Sequence, residues 1–113
     1  MAFSRGDVVL VRYPFTDLSS SKTRPAVVVS GSLYQAQQPD LMLAALTSNV
    51  AAATETLDYV LQDWKSANLR FPTAFKPVVA TLELGLVVFT IGALSGRDLI
   101  EIENRLRDVL ELS

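Results

Sequence analysis

Two short polar segments carry the side chains best suited to chemistry, and Arg24 ends the first of them. It follows Lys22 and Thr23, and Pro25 comes next and begins an apolar run. An arginine guanidinium has five donors in a fixed fork that suits a phosphate, and a following proline fixes the backbone that presents it. Most surface arginines have no such role, so composition alone favours a solvated side chain at a strand end.

The second segment is Thr47, Ser48 and Asn49, which directly follow an apolar run that ends at Leu46. Strand ends are common positions for hydrogen-bonding groups that must be held rigidly beside a cleft. Serine and asparagine are also common turn residues, so this segment taken alone is explained by a turn.

The composition removes much enzyme chemistry. The chain has no cysteine and no histidine, so disulfides, thiolate-metal sites, a cysteine nucleophile and the commonest general base are excluded. Asp7, Asp17, Asp58 and Asp63 do not form the tight acidic cluster of a two-metal nuclease. A phosphate-binding loop, a dinucleotide fingerprint and a nucleophile elbow are also missing from the sequence. We therefore expect neither a metal site nor a cofactor.

The aromatic side chains have two interpretations. Aromatic rings beside basic groups can stack on unpaired bases, but such residues more often fill a core or an interface. Packing is the expected role of Trp64, the one tryptophan. The other residues considered in this way are Tyr13, Phe15, Phe71 and Phe75.

The charge distribution favours an anionic ligand near the N-terminal half. The net charge is -2, which is unlike the broad basic surface of a duplex-DNA binder. Residues 1–48 carry four basic and three acidic side chains, whereas residues 49–113 carry six basic and nine acidic ones. We expect no direct binding of DNA by this chain alone.

The length of 113 residues has room for one domain over 1–113. The longest apolar runs are much shorter than the roughly 20 residues of a membrane-spanning helix, and no signal peptide is visible. We therefore expect a cytoplasmic protein without a membrane segment.

Apolar runs bounded by turn residues predict five or six short strands followed by one helix, in a strongly bent antiparallel sheet or partial barrel. Ser95 is the expected N-cap of the helix, with Asp98 three residues later. A polar loop is expected over 14–24, a surface connection over 32–40, and a turn or short helix over 62–68. The predicted strands are 8–13, 25–30, 41–47, 56–61, 76–82 and 86–91. The apolar stripe predicted for the helix is Leu99, Ile102, Leu106, Val109 and Leu110.

The order of these segments resembles the MazF/PemK family of toxin ribonucleases over nearly the whole chain. Three blocks carry the resemblance most specifically, at 5–11, 22–30 and 43–49. Shorter matches follow in the family's order at 61–64, 71–73, 80–82 and 91–95.

The resemblance implies a mainly β fold with a C-terminal α-helix, a small SH3-like or plasmid-maintenance-toxin barrel of the CcdB/PemK type. It implies a homodimer that is held inactive by a cognate antitoxin. The implied activity is a metal-independent endoribonuclease that cuts single-stranded RNA and leaves 2',3'-cyclic phosphate and 5'-hydroxyl ends. The family's catalytic arginine falls on Arg24 and its catalytic threonine on Thr47. The residue types leave the identity of the general base open.

The resemblance also implies a set of RNA-binding residues. Lys22 and Thr23 would position phosphate, and the choice of RNA sequence would reside mostly in the loop 14–23. Thr73 stands where many members have serine, and Lys76 where arginine is common. The full set of expected RNA-binding residues is Phe15, Asp17, Ser20, Ser21, Lys22, Thr23, Ser48, Asn49, Thr73 and Lys76.

Two other readings share this fold. One is a CcdB-like toxin that poisons DNA gyrase by protein binding and has no ribonuclease site. The other is a homologue that binds antitoxin but has lost turnover, because a displacement of about 1 Å at Arg24 is enough to abolish much of a rate.

Overall fold

The computed structural model describes residues 3–12 and 23–113 of the chain. These residues form six strands and two α-helices, joined by turns and loops. One-turn 3-10 helices lie at Val50–Ala52 and Leu84–Leu86. None of the helices in these two ranges is long and apolar enough to cross a membrane. The strands are β1 (Asp7–Arg12), β2 (Thr23–Val28), β3 (Asp40–Thr47), β4 (Tyr59–Val60), β5 (Ala74–Glu83) and β6 (Val87–Ala93). The helices are α1 (Ser32–Gln37) and α2 (Gly96–Leu110).

The strands form one antiparallel sheet in the order β4-β5-β3-β2-β1-β6. β5 and β6 are four strand spacings apart in this order, which is about 19 Å in a flat sheet. The chain between them is only Leu84–Leu86, and such a link spans at most about 14 Å even when extended. The sheet must therefore bend strongly, which brings β6 towards β5.

The bent sheet has an apolar cluster on each face. On the outer face, Ile102 of α2 packs against the strands, and the buried members of this helix-side core are Val8, Val27, Ala44, Leu46, Tyr59, Leu61, Ala67, Phe75 and Ile102. On the inner face the sheet packs against itself, and the buried members are Phe3, Val9, Val11, Ala26, Val28, Leu41, Leu43 and Leu82. β1, β2 and β3 contribute to both cores, so they are the rigid centre of the molecule.

The fold class is confirmed as mainly β with a C-terminal helix, and the described strands form an open, curled sheet rather than a closed barrel. The predicted loop over 14–24 extends too far, because Thr23 and Arg24 are already paired with β1. Residues 13–22 lie outside the described residues. β4 is shorter than the predicted strand 56–61, since only Tyr59 and Val60 pair with β5.

Helix α1 is a correction to the surface connection predicted over 32–40. It is one and a half turns long and contains no buried residue, so it leaves no apolar periodicity in the sequence. Helix α2 begins as predicted, with the backbone N–H of Asp98 donating to Ser95 Oγ at 3.3 Å. Of the predicted stripe, Ile102 is fully buried, whereas Leu110 at the other end is 63% exposed.

Gly6 lies immediately before β1 and is hydrogen-bonded to the end of β2. Its φ of +100° is in the region that favours glycine, and its N–H donates to the carbonyl of Val28 at 2.8 Å. The backbone therefore requires glycine at position 6, where β1 starts beside the end of β2.

Candidate functional site

The register of the central strands places Arg24 beside Thr47. The pairing of β2 with β3 runs from Val28 opposite Leu43 to Ala26 opposite Ala45, and the strands are antiparallel. Arg24 near the start of β2 and Thr47 at the end of β3 therefore lie at the same edge of the two strands. Two residues that are far apart in the sequence thus meet at one edge of the rigid centre.

A cavity of about 730 Å³ opens at this edge, and we call it the strand-end cavity. Five of the predicted site residues line it. Arg24 and Arg70 give it two positive charges, and its described lining includes no carboxylate. The site therefore favours an anionic ligand although the chain as a whole is acidic. The lining residues are Leu10, Thr23, Arg24, Pro25, Leu46, Thr47, Ser48, Asn68, Leu69, Arg70, Phe71, Thr73, Phe89 and Ile91.

The hydroxyl of Thr47 is oriented by the turn that follows it. The backbone N–H of Asn49 donates to Thr47 Oγ1 at 3.1 Å. Because this bond occupies an acceptor position of the oxygen, the hydroxyl hydrogen points away from Asn49 and can be donated to a ligand. Ser48 and Asn49 are exposed, and only Ser48 is part of the cavity lining.

Thr73 lines the cavity but is also part of its construction. Its side chain is almost fully buried, and Oγ1 donates to the carbonyl of Phe71 at 2.8 Å. This contact fixes the segment that carries Phe71 at the cavity. A role of Thr73 in RNA binding stays a prediction.

Lys76 lies elsewhere. Its Nζ is 2.7 Å from Asp58 Oδ2, and both residues line a separate cavity of about 350 Å³. The hydrogen bond from Lys76 lowers the pKa of the Asp58 carboxyl. The structure therefore does not bring Lys76 together with Arg24 and Thr47. The remaining predicted contacts, Phe15, Asp17, Ser20, Ser21 and Lys22, lie outside the described residues.

The cavity includes residues that the sequence reasoning did not select. Asn68, Leu69 and Arg70 come from the segment before β5, and Phe89 comes from β6. Arg70 lies in the half of the chain that has an excess of acidic side chains, where the charge distribution predicts no anion site. The sequence Arg70-Phe71-Pro72, a cation and an aromatic ring before a proline, is the signal that could have found this segment.

A buried carboxylate positions the start of this segment. Asp98 on α2 is fully buried and accepts hydrogen bonds from Tyr59 Oη at 2.5 Å and from the backbone N–H groups of Gln62 and Asp63 at 3.0 and 2.8 Å. Burial and the hydrogen bond to Asp98 raise the pKa of Tyr59 to about 12. Helix α2 is therefore tied directly to the segment that lines the cavity.

Asp63 makes a second tie to the helix. Its carboxylate accepts from Arg97 Nε and Nη2, both at 2.7 Å, and from Ser95 Oγ at 2.6 Å. The hydrogen bonds from Arg97 and Ser95 lower the pKa of Asp63 to about 2. The contacts form a bidentate ion pair at the N-terminus of α2, where a negative charge also interacts favourably with the helix dipole.

The other end of the segment is pressed against β6. Asn68 has a φ of +66°, and its Nδ2 donates to the carbonyl of Ile91 at 2.9 Å. A Cβ atom added to Gly92 would lie 2.3 Å from the carbonyl oxygen of Ala67, so only glycine allows this close approach. Asn68 and Gly92 thus fix the cavity wall that Arg70 and Phe71 extend.

Among residues 3–12 and 23–113, no group of three Asp or Glu side chains is close enough together to hold a metal ion. Asp63 and Asp98 are engaged in the contacts that anchor α2.

A curled antiparallel sheet with a C-terminal helix and a basic cavity at its strand ends is the architecture of a small β-fold toxin. The sequence profile of the PemK-like, MazF-like toxins of type II toxin-antitoxin systems matches residues 4–110, and the chain belongs to this family. The resemblance drawn from the sequence blocks is therefore confirmed.

Solved structures show the same fold at low sequence identity. An endoribonuclease from a mycobacterial species, in complex with its cognate antitoxin, is 18% identical with a TM-score of 0.80, covering 99% of this chain and 98% of that one. MazF in a MazE–MazF structure from Deinococcus radiodurans is 17% identical with a TM-score of 0.79, and both chains are fully covered. The Mycobacterium tuberculosis toxin MazF-mt6 is 11% identical with a TM-score of 0.74, covering 95% of this chain and 98% of that one. No curated protein sequence matches the chain.

Proposed function

We propose that this toxin is an endoribonuclease that cuts single-stranded RNA at the strand-end cavity, with Arg24 and Thr47 as catalytic residues. The observation that carries the proposal is the placement of these two side chains on adjacent strands, at a cavity whose lining has two arginines and no carboxylate. Similarity in fold to proteins described as endoribonucleases supports it.

The reaction that fits these residues uses the RNA's own 2'-hydroxyl as nucleophile. Its oxygen forms a bond to the adjacent phosphorus while the bond to the 5'-oxygen breaks. The 2'-hydroxyl proton passes to a base and the leaving 5'-oxygen gains a proton, giving a 2',3'-cyclic phosphate and a 5'-hydroxyl. Arg24 stabilises the negative charge that accumulates on the phosphoryl oxygens, and Thr47 donates a hydrogen bond to one of them. This route requires no metal-bound water, so we propose that it is independent of metal.

Single-stranded RNA is the substrate that suits this cavity. A volume of about 730 Å³ is in the range of pockets that enclose a small ligand, so it suits unpaired nucleotides better than the side of a duplex. The arginines bind phosphate at any sequence, and choice of sequence belongs to groups that reach the base edges.

The proposed inhibitor is a cognate antitoxin that covers the same cavity. Similar structures are described as complexes of a toxin with its antitoxin. An acidic segment with apolar side chains would neutralise Arg24 and Arg70 and would compete with RNA. If the product of the neighbouring gene left cutting unchanged at saturating ratio, this part of the proposal would be wrong.

We also propose that the toxin is a homodimer. Outside the strand-end cavity, Val78, Val79, Val88 and Ile100 are largely exposed, which is a feature of surfaces that a second subunit covers. Light scattering should give twice the chain mass of 12.3 kDa, and a species of 12.3 kDa at working concentration would contradict the dimer.

The activity is tested by incubating the purified protein with mixed-sequence single-stranded RNA in EDTA and mapping the fragment ends. We expect discrete cuts with cyclic phosphate ends, and Arg24→Ala and Thr47→Ala should each reduce the rate by about 100-fold or more, as for loss of a donor to a developing oxyanion. Arg107→Ala and Thr81→Ala are matched controls at exposed positions outside the cavity and should cut normally.

The outcomes separate the readings of this fold. Cutting that requires an added divalent ion would contradict the metal-free route. Intact RNA across a broad sequence pool, from protein that still binds its antitoxin, would instead favour a gyrase-poisoning toxin or a homologue without turnover.

A further inference from the structure

Two phenylalanine rings are exposed at the strand-end cavity. Phe71 is 63% exposed and Phe89 is 54% exposed, whereas Phe3 and Phe75 are buried in the two cores. Exposed apolar side chains that share one cavity mark a binding surface, unlike apolar residues scattered singly over a protein. These rings therefore have a role that packing within this chain does not supply.

The rings border the catalytic pair on two sides. Thr47 pairs with Ala74 at the start of β5, so Phe71, three residues earlier, borders the cavity on the β5 side. Phe89 lies on β6, which is two strands from Arg24 in the sheet order β2-β1-β6. In the sheet order β5-β3-β2-β1-β6, Thr47 is on β3 and Arg24 is on β2. Both strands lie between β5, which Phe71 precedes, and β6, which carries Phe89.

Both rings are held on rigid backbone. The carbonyl of Phe71 accepts from Thr73 Oγ1 at 2.8 Å, and Asn68 at the start of the same segment donates to Ile91. Phe89 is paired with Leu10 inside the ladder between β1 and β6. The backbone that presents each ring at the cavity is therefore held by contacts with neighbouring segments.

The chemistry of the surface selects its ligand. A phenyl ring has no polar atom, so it stacks on any base without reading its edge. Arg24 and Arg70 supply positive charge between and beside the rings. An apolar surface on each side of a phosphate-binding centre matches the repeat of base, phosphate and base in a single strand.

We infer that Phe71 and Phe89 are stacking positions for the unpaired bases on the two sides of the phosphate that is cut. This inference rests on the proposed function and adds two substrate-binding residues to it. The rings supply affinity and place the phosphate against Arg24 and Thr47, while sequence choice is left to other groups.

The test is an equilibrium binding measurement by fluorescence anisotropy. The probe is a mixed-sequence single-stranded oligonucleotide with every 2'-hydroxyl replaced by 2'-O-methyl, which removes the nucleophile. Phe71→Leu and Phe89→Leu keep an apolar side chain but remove the stacking ring, and we expect each to weaken binding by about 5- to 100-fold. Phe71→Trp and Phe89→Trp keep a stacking ring and should bind at least as tightly as the unmodified protein.

Two controls isolate stacking from other effects. Leu33→Ala removes an apolar side chain that is 72% exposed on α1, outside the cavity, and should leave binding unchanged. A probe of the same length that lacks its bases should bind the unmodified protein and both leucine variants equally, because only the phosphate contacts then remain.

Each outcome decides between alternatives. If the leucine variants bind the probe as tightly as the unmodified protein, and that protein cuts RNA, the stacking inference is overturned while the proposed function stands. If the unmodified protein neither binds nor cuts RNA, both fail. Variants that change the mass measured by light scattering, or lose only antitoxin binding, would assign the rings to a protein interface and overturn the inference.

Discussion

Arg70 is exposed and lines the strand-end cavity together with Arg24, but it comes from the segment before β5 and not from the central strands. In the proposed mechanism it adds positive charge from outside the two strands that carry Arg24 and Thr47. We expect a cation in this position to attract the RNA backbone equally in the bound substrate and in the transition state, and so to contribute to binding rather than to the chemical step.

Replacement of Arg70 tests this separation of roles. Arg70→Ala should raise KM by about 10-fold and leave kcat nearly unchanged, because it removes uniform binding. The slope of log affinity against log salt should fall by about 0.7, the loss expected for one phosphate contact with a single strand. Steady-state kinetics at several salt concentrations measure both quantities, and a fall in kcat with KM unchanged would instead place Arg70 in the transition state.

At this scale the sequence predicted the position of Arg24 and Thr47 at a cleft better than it predicted the rest of the cavity lining. Arg24 and Thr47 are in blocks that the family resemblance covers, and they lie on the adjacent strands β2 and β3 and line the same cavity. Arg70 and Phe71 reach the cavity only because Asn68 and Asp98 hold their segment in place. Such contacts join residues 23 and 35 positions apart, and no local pattern in the sequence records them.

The segment from β4 to β5 is the element on which the cavity wall depends, and Asp98 is its principal anchor. The fully buried carboxylate accepts from one buried hydroxyl and from two partly buried backbone N–H groups. Buried donors that lose their acceptor cost much more free energy than a single hydrogen bond contributes on average.

Asp98→Ala should lower the free energy of unfolding by about 2–4 kcal/mol, because three donors lose their acceptor. Tyr59→Phe is the matched control, since it removes one of the three donors and keeps the carboxylate; it should cost about 1–2 kcal/mol. Urea unfolding of the two variants measures the difference. Equal losses would mean that the backbone N–H groups of Gln62 and Asp63 contribute little.

The other end of the segment depends on close contact with β6. Gly92→Ala should lower the free energy of unfolding by about 1–3 kcal/mol and should slow RNA cutting, because the new Cβ displaces the carbonyl of Ala67 and with it the cavity wall. Gly96→Ala is the control, since an added Cβ there meets no atom within 4 Å and the position lies in the first turn of α2. Thermal unfolding measures the effect on stability, and the cutting assay measures the effect on rate. If Gly92→Ala changed neither quantity, the segment at Ala67 could move to accept the new Cβ without loss of stability or activity.

Element prediction succeeded for the long β-branched and aliphatic runs and for the capped helix, and failed for the short helix α1 and for the bounds of β4. The strands of the two cores follow from their β-branched and aliphatic runs, and α2 follows from its capping residue Ser95 and the buried Ile102. Helix α1 buries no residue, so its sequence carries no amphipathic pattern. β4 is only two residues long because Tyr59 and Val60 alone reach β5.

Over the whole molecule, the short link Leu84–Leu86 forces the sheet to curl and creates a concave edge. The same curvature brings the segment at Asn68 into contact with β6 although that segment leads into β5. The curvature of the sheet and the cavity at its edge therefore both follow from one connection, which joins two strands that are four positions apart in the sheet.

The pH dependence of global stability should reflect the ties between α2 and the rest of the chain. The pKa of Asp63 is lowered from 3.8 to about 2, chiefly by the hydrogen bond from Arg97 and then by that from Ser95. A carboxyl with a lowered pKa in the folded state binds fewer protons than in the unfolded chain, so its contribution is fully present above pH 4 and is lost as pH falls towards 2. Asp58, lowered by Lys76, acts in the same direction.

Tyr59 contributes to the alkaline side with the opposite sign, as does Tyr34, whose pKa is raised by its hydrogen bond to Asp40. The pKa of Tyr59 is raised from 10.0 to about 12 by burial and by Asp98, so its contribution is present below pH 10 and is lost as pH rises towards 12. Urea unfolding of the native protein between pH 2 and pH 12 should therefore show a plateau that falls off at both ends. Asp63→Asn should make only the acid side less steep and Tyr59→Phe only the alkaline side, because each variant removes one of the groups that titrate there. A variant in which the slopes at both ends changed together would show that the two ties do not act independently, and would make α2 and its partner segment a single cooperative unit.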